Sequence, residues 1–153
     1  MEKIYRTVII DDEESAIDNL CFELQRYTYI SIEGKARNGA LGMKLIEKIR
    51  PDLVFLDVEL PDMRGMDMVA KLKGYVSWNM SVIFYTAHDK YVIDALRAKA
   101  FDFLLKPVDS DELQTVLTRL CKQEYVIQDY IPPVPADAGK PFVVTTPTGD
   151  LRF

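Results

Sequence analysis

Apolar residues gather in short runs at Thr7 to Ile10, Leu53 to Leu56, Val82 to Tyr85 and Phe101 to Leu105, with a weaker run at Ile30 to Ala36. Runs of this length predict strands buried on both faces. Between them lie helix-like segments at Glu14 to Tyr27, Ala40 to Ile49, Met66 to Lys73, Lys90 to Lys99 and Asp109 to about Cys121. Pro51 ends the second of these, because its ring cannot continue a helix. Strand and helix alternate five times along the chain. That alternation predicts βαβ units with right-handed crossovers, hence an α/β fold with a parallel sheet and helices on both faces. Such sheets take ligands beyond the carboxyl ends of their strands, so chemistry is sought just after each apolar run.

The texture changes after about Gln123. Ile131 to Lys140 holds Pro132, Pro133, Pro135 and Gly139, a linker composition. Pro141 to Phe153 reads as two short strands, Phe142 to Thr145 and Leu151 to Phe153, around a turn at Pro147 to Asp150. A lone hairpin is barely stable. The expected organisation is therefore one domain over 1–122, a linker over 123–140, and over 141–153 the opening hairpin of a second, β-rich domain.

Composition narrows the function classes. A chain of 153 residues, 48% hydrophobic, has material for one substantial core. A net charge of −5 argues against nucleic-acid binding by this stretch, since phosphate contacts need clustered Lys and Arg. No window approaches the roughly 20 apolar residues of a spanning helix, and Met1 to Thr7 is not a signal-peptide run, so a cytoplasmic protein without membrane contact is expected. Cys21 and Cys121 fall in separate helix-like runs and read as two buried thiols, not a disulfide or a metal site.

The first residues after the runs are Asp11 and Asp12, Asp57, Thr86, and Lys106 followed by Pro107. Singly, each has an ordinary explanation: an Asp caps the next helix, a Thr ends a strand, a Lys extends into solvent. Asp57 is different, because it ends the run Leu-Val-Phe-Leu, where an acid is expected to pair with a cation or bind something. Together these residues outweigh the ordinary readings. Three carboxylates on one edge repel unless a cation joins them. Oxygen donors without His or Cys suit Mg²⁺ rather than zinc. A carboxylate, Mg²⁺, an ammonium and a hydroxyl on one edge form a phosphoryl-transfer set, with Asp57 as nucleophile and the acidic pair placed to hold the metal.

Over Thr7 to about Leu120 the chain resembles a response-regulator receiver domain. The resemblance is carried by Val-Ile-Ile-Asp11-Asp12-Glu-Glu, by Leu-Val-Phe-Leu-Asp57-Val-Glu59-Leu-Pro61-Asp-Met-Arg-Gly65, by Phe-Tyr-Thr86-Ala87 and by Phe101-Asp-Phe103-Leu-Leu-Lys106-Pro107. It implies a doubly wound, flavodoxin-like five-stranded sheet in the order 2-1-3-4-5. It also implies phosphorylation of Asp57 by the phosphohistidine of a sensor histidine kinase. Mg²⁺ would be held by Asp12, Asp57 and the backbone carbonyl of Glu59, with Asp11 acting through water. Lys106 and the Thr86 hydroxyl would take phosphoryl oxygens. Phe103 would fill the space left when Thr86 moves inward, a two-state switch. Pro107 resembles the family's cis peptide, and Gly65 serves backbone geometry after the third strand. The resemblance also implies that Glu59 and His88 stand at positions flanking the path of the hydrolytic water, where they would tune phosphate lifetime; His88, the only histidine, reads first as a solvent-exposed loop residue and not as catalytic.

Tyr85-Thr-Ala-His-Asp-Lys-Tyr91, Ala100 to Pro107 and the terminal Pro141 to Phe153 are similar to receivers that precede LytTR-type DNA-binding domains. The expected whole is a transcription regulator whose DNA contacts lie in a further domain, with a phosphorylation-dependent homodimer. The rival reading is a haloacid-dehalogenase-like phosphatase, which wants a second Asp two residues after the nucleophile; Glu59 stands there instead. A receiver-like module that takes no phosphate is expected to lack Asp57, Thr86 or Lys106, and all are present. The chain is thus read as a switch and not as an enzyme acting on external substrates.

Overall fold

The computed structural model describes residues 3–87 and 100–126, with side chains described as far as 122. Strands β1 (Tyr5–Ile10), β2 (Ile30–Ala36), β3 (Leu53–Leu56), β4 (Ser81–Thr86) and β5 (Asp102–Leu105) form one sheet. Its order is β2-β1-β3-β4-β5 and every pairing is parallel. Helices α1 (Glu14–Leu24), α2 (Gly39–Ile49), α3 (Gly65–Lys73) and α4 (Ser110–Val126) complete the described elements.

Side chains alternate across a strand, and here both faces are covered. Leu53 and Phe55 of β3 enter a core shared with α1 and α4, whereas Val54 and Leu56 enter a second core shared with α2 and α3. All four are fully buried, which is why the central strand reads as an unbroken apolar run. Edge strand β2 is half-buried or exposed over most of its length, hence its weaker pattern. Its pairing with β1 also shifts register between Thr7 and Val8.

Helix ends follow local chemistry. Asn38 accepts a hydrogen bond from the Leu41 N–H and caps α2. At the other end, Arg50 adopts a left-handed conformation (φ 53°) immediately before Pro51, a position where a right-handed helical residue would clash with the proline ring. Its guanidinium lies 4.3 Å from the centre of the Trp78 ring, and Trp78 Nε1 donates to the Pro51 carbonyl at 2.7 Å. These contacts hold the turn from α2 into β3.

Some boundaries differ from expectation. Helix α1 stops at Leu24 rather than Tyr27; Tyr27 instead stacks edge-on with Tyr29, which meets Tyr5 in the same way. Aromatic packing thus takes Tyr27 out of the helix. Helix α4 runs to Val126, so residues 123–126 are helical and not linker. Nothing in Gln123-Glu-Tyr-Val126 breaks a helix, and Pro132 is the first residue beyond that would. The helix expected at Lys90 to Lys99, the linker from 127 on and the terminal hairpin lie outside the described residues. Cys21 and Cys121 are free thiols, half-buried and not fully buried as expected. No described helix is long and apolar enough to cross a membrane.

Candidate functional site

Backbone hydrogen bonds carry the sheet one residue past the strands and so fix the polar side chains. The Asp11 N–H donates to the Ala36 carbonyl (3.0 Å), the Asp57 N–H to Ile10 (3.0 Å) and the Lys106 N–H to Thr86 (2.7 Å). Asp11, Asp57 and Lys106 therefore leave the same edge of the sheet. The Lys106 ammonium lies 2.8 Å from Asp11 Oδ2, 2.8 Å from Glu13 Oε1 and 3.2 Å from Asp57 Oδ2. It donates hydrogen bonds to Glu13 and Asp57 and forms a buried ion pair with Asp11. Asp11 Oδ2 is buried against this ammonium, while its Oδ1 accepts the Glu13 N–H at 2.9 Å.

Carboxylate oxygens of Asp11, Asp12 and Asp57 lie within 4.8 Å of one another. Three acids, Asp11, Glu13 and Asp57, meet one ammonium, and Asp12 adds a fourth carboxylate to the cluster. Burial, then the Asp11 charge, push the Asp57 carboxyl up to about 6, against the opposing pull of Lys106 and the Glu59 N–H. Burial works against the Lys106 charge, but Asp11, Glu13 and Asp57 outweigh it and raise the ammonium above its ordinary range. The hydrogen bond from Lys106 holds Glu13 below its usual value. One lysine does not neutralise this cluster. An all-oxygen donor set that one ammonium does not neutralise fits Mg²⁺, with Asp12 exposed at its rim.

The cluster opens into a cavity of about 310 Å³ whose walls include Asp12, Glu13, Asp57, Glu59, Ala87 and Lys106. The Glu59 N–H points at Asp57 Oδ1 across a long 3.4 Å. Thr86 is buried at the end of β4 beside Lys106. Phe103 pairs with Phe84 one step lower in β5, so it stands on the same sheet face as Thr86 and packs, half-buried, into the α2 and α3 core. The Lys106–Pro107 peptide is cis. Gly65 begins α3 and donates its N–H to Val58 at 2.6 Å. A Cβ there would strike the carbonyl oxygen of Asp57, so glycine is required by close approach and not by an unusual φ. His88 lies outside the described residues.

Three participants had no role in the sequence reading. Glu13 shares the Lys106 ammonium; its signal was an acid directly after the Asp11-Asp12 pair. Arg37 donates from Nε (3.1 Å) and Nη2 (2.9 Å) to the backbone carbonyl of Asp12. Asp62 accepts from the N–H groups of Gly39 (2.7 Å) and Ala40 (2.9 Å) at the start of α2. Neither of these last two pairings has a sequence signal, because each joins loops far apart in the chain.

Known proteins share this chain's sequence and its fold. The transcriptional regulatory protein BtsR of Escherichia coli K12 is 40% identical over 124 residues, which are 81% of this chain and 51% of that protein. An uncharacterized response regulatory protein of Vibrio cholerae is 37% identical over 125 residues, 82% of this chain and 52% of that one. The chain thus spans about half the length of the curated relatives it matches. Among solved structures, the signal receiver domain of NarL from Mycobacterium tuberculosis is 28% identical with a TM-score of 0.70, covering 79% of this chain and 98% of that one. The REC domain of AraT from Geobacillus stearothermophilus shares the fold at 23% identity and a TM-score of 0.73, covering 82% and 99%. Residues 7–118 match the response regulator receiver domain, and the chain belongs to that family.

Proposed function

We propose that this chain is the phosphoryl-accepting switch of a two-component system, with Asp57 as acceptor and a sensor histidine kinase as donor. The observation that carries the reading is Asp57 at the end of the central strand, buried, 3.2 Å from the Lys106 ammonium and beside two further acids. In this reading an Asp57 oxygen attacks phosphorus, the bond from phosphorus to the donor's imidazole nitrogen breaks, and the electron pair leaves with the ring. Asp57 is ionised at neutral pH and so supplies the attacking pair. Lys106 moves from carboxylate to phosphoryl oxygen, and Thr86 takes a second oxygen. Asp12, Asp57 and the Glu59 carbonyl would hold Mg²⁺, with Asp11 bound through water. When bound, the ion offsets charge on the phosphoryl oxygens. Phe103 follows Thr86 as the second half of the switch, and Glu59 and His88 set how long the phosphate lasts.

The chain acts on its own phosphate and not as an enzyme on external substrates. The name of the BtsR relative supports transcription as the output. In this reading that output is exerted in the cytoplasm through a DNA-binding domain of the LytTR type and a phosphorylation-dependent homodimer. The test is intact mass after incubation with acetyl phosphate and Mg²⁺. One acid-stable, base-labile phosphoryl group on the unchanged chain and none on Asp57→Asn is the expected result. An unmodified mass in both, with no phosphate released, overturns it.

A further inference from the structure

The acidic cluster has a mechanical problem. Asp12 is exposed on the loop after β1, and Asp57 begins the loop after β3. Their like charges, joined by that of Asp11, oppose the close approach of the two loops. Lys106 ties Asp11 and Glu13 to Asp57 but makes no ion pair with Asp12. A second link between the two loops runs through the corner between β2 and α2. Arg37 grips the backbone carbonyl of Asp12 with two N–H groups. One residue further along, Asn38 caps α2, and the next two N–H groups, of Gly39 and Ala40, are both taken by the Asp62 carboxylate. Those N–H groups are free donors at the positive end of α2, so the carboxylate is well matched to them and its acidity is strengthened accordingly. The side chain of Met63 fills the space that a Cβ on Gly39 would need. The loop after β3 is in turn closed on itself by Leu60 N–H to Met63 (3.1 Å) and Gly65 N–H to Val58 (2.6 Å), so fixing Asp62 fixes the segment that carries Glu59.

We propose that Arg37 and Asp62 are positioning residues, a brace through which the β2–α2 corner holds Asp12 and the Asp57–Glu59 segment at metal-binding distance. This rests on the Mg²⁺ reading given above. The brace touches neither metal nor phosphate; it acts only through Asp12 and the loop after Asp57. Partners of this kind set metal affinity by orienting the ligands, and their removal typically weakens binding by about tenfold or more.

Charge alone makes opposite or different predictions, which separates the two. Removing Arg37 takes a positive charge away from an acidic site, and on electrostatics alone Mg²⁺ then binds more tightly. The brace requires weaker binding. At position 62, Asn and Ala remove the same charge, but only Asn keeps an oxygen that can accept one of the two N–H groups. The experiment is Mg²⁺ titration calorimetry on the full chain, with the metal-free thermal midpoint measured alongside. Expected are an affinity about tenfold weaker in Arg37→Ala and Asp62→Ala and near the unchanged chain's in Asp62→Asn. Tighter binding in Arg37→Ala, equal losses in the two Asp62 variants, or a lower midpoint with unchanged affinity overturns the brace. If the unchanged chain itself binds no Mg²⁺, the metal reading falls and takes the brace with it.

Discussion

Asp57 is held at a thermodynamic disadvantage. Its carboxyl is raised from 3.8 to about 6 by burial first and by the Asp11 charge second. A raised acid contributes stability that is fully present below the unfolded value near 3.8 and is lost as pH climbs through about 6. At pH 7 the ionised Asp57 therefore destabilises the metal-free fold. The ceiling set by two pH units is about 3 kcal/mol; water in the open cavity screens part of it, leaving roughly 1–2 kcal/mol. Metal-free Asp57→Asn should be more stable than the unchanged chain by that amount at pH 7 in urea unfolding, with the gap closing toward pH 4. An equal or lower midpoint for the variant at pH 7 would contradict the assigned cause. Gly65 works by space instead. Because a Cβ there meets the Asp57 carbonyl, Gly65→Ala should lose about 1–3 kcal/mol in the same assay and should slow acceptance of phosphate by shifting the loop.

Among the elements, the sheet dictates which substitutions matter. Leu56 is fully buried in the central strand, whereas Ile32 on edge strand β2 is half-buried. Leu56→Ala should cost about 2–5 kcal/mol of stability, and Ile32→Ala roughly half of that or less, in denaturant unfolding. Similar losses at both sites would mean that β2 is not the edge. The same burial difference explains what the sequence made legible. Strands β3 and β2 were readable to the residue, because the first is apolar throughout and the second is bounded by turns. Helix ends were less readable. Tyr27 has a helical pattern behind it but is captured by Tyr29, and the continuation of α4 to Val126 needs only the absence of a breaker. The site divides in the same way. Asp11, Asp12, Asp57, Thr86 and Lys106 stand at strand ends and could be listed in order along the chain. Glu13, Arg37 and Asp62 acquire their roles through contacts between loops, which no periodicity encodes.

For the whole molecule, a cation held by the cluster would couple folding to binding. Three acids around one lysine, with Asp12 beside them, leave excess negative charge at a point where three loops meet. A cation that binds only the folded chain stabilises it by mass action, about 2.7 kcal/mol at a hundredfold excess over its Kd. Mg²⁺ should therefore raise the thermal midpoint, and Asp12→Asn and Asp57→Asn should remove most of the rise. The effect should also depend on pH. Metal ligands bind deprotonated, so a proton on Asp57 competes with the ion. With the Asp57 carboxyl near 6 and Lys106 charged throughout, the Mg²⁺-induced rise should be nearly complete at pH 7.5 and diminish below pH 6. The metal-free chain moves the other way over the same interval, gaining stability as Asp57 takes its proton. Thermal melts at pH 5.5 and 7.5, with and without Mg²⁺, read both trends in four curves. Crossed trends place proton and metal on the same carboxylate. A Mg²⁺ effect equal at both pH values would assign the ion to acids other than Asp57.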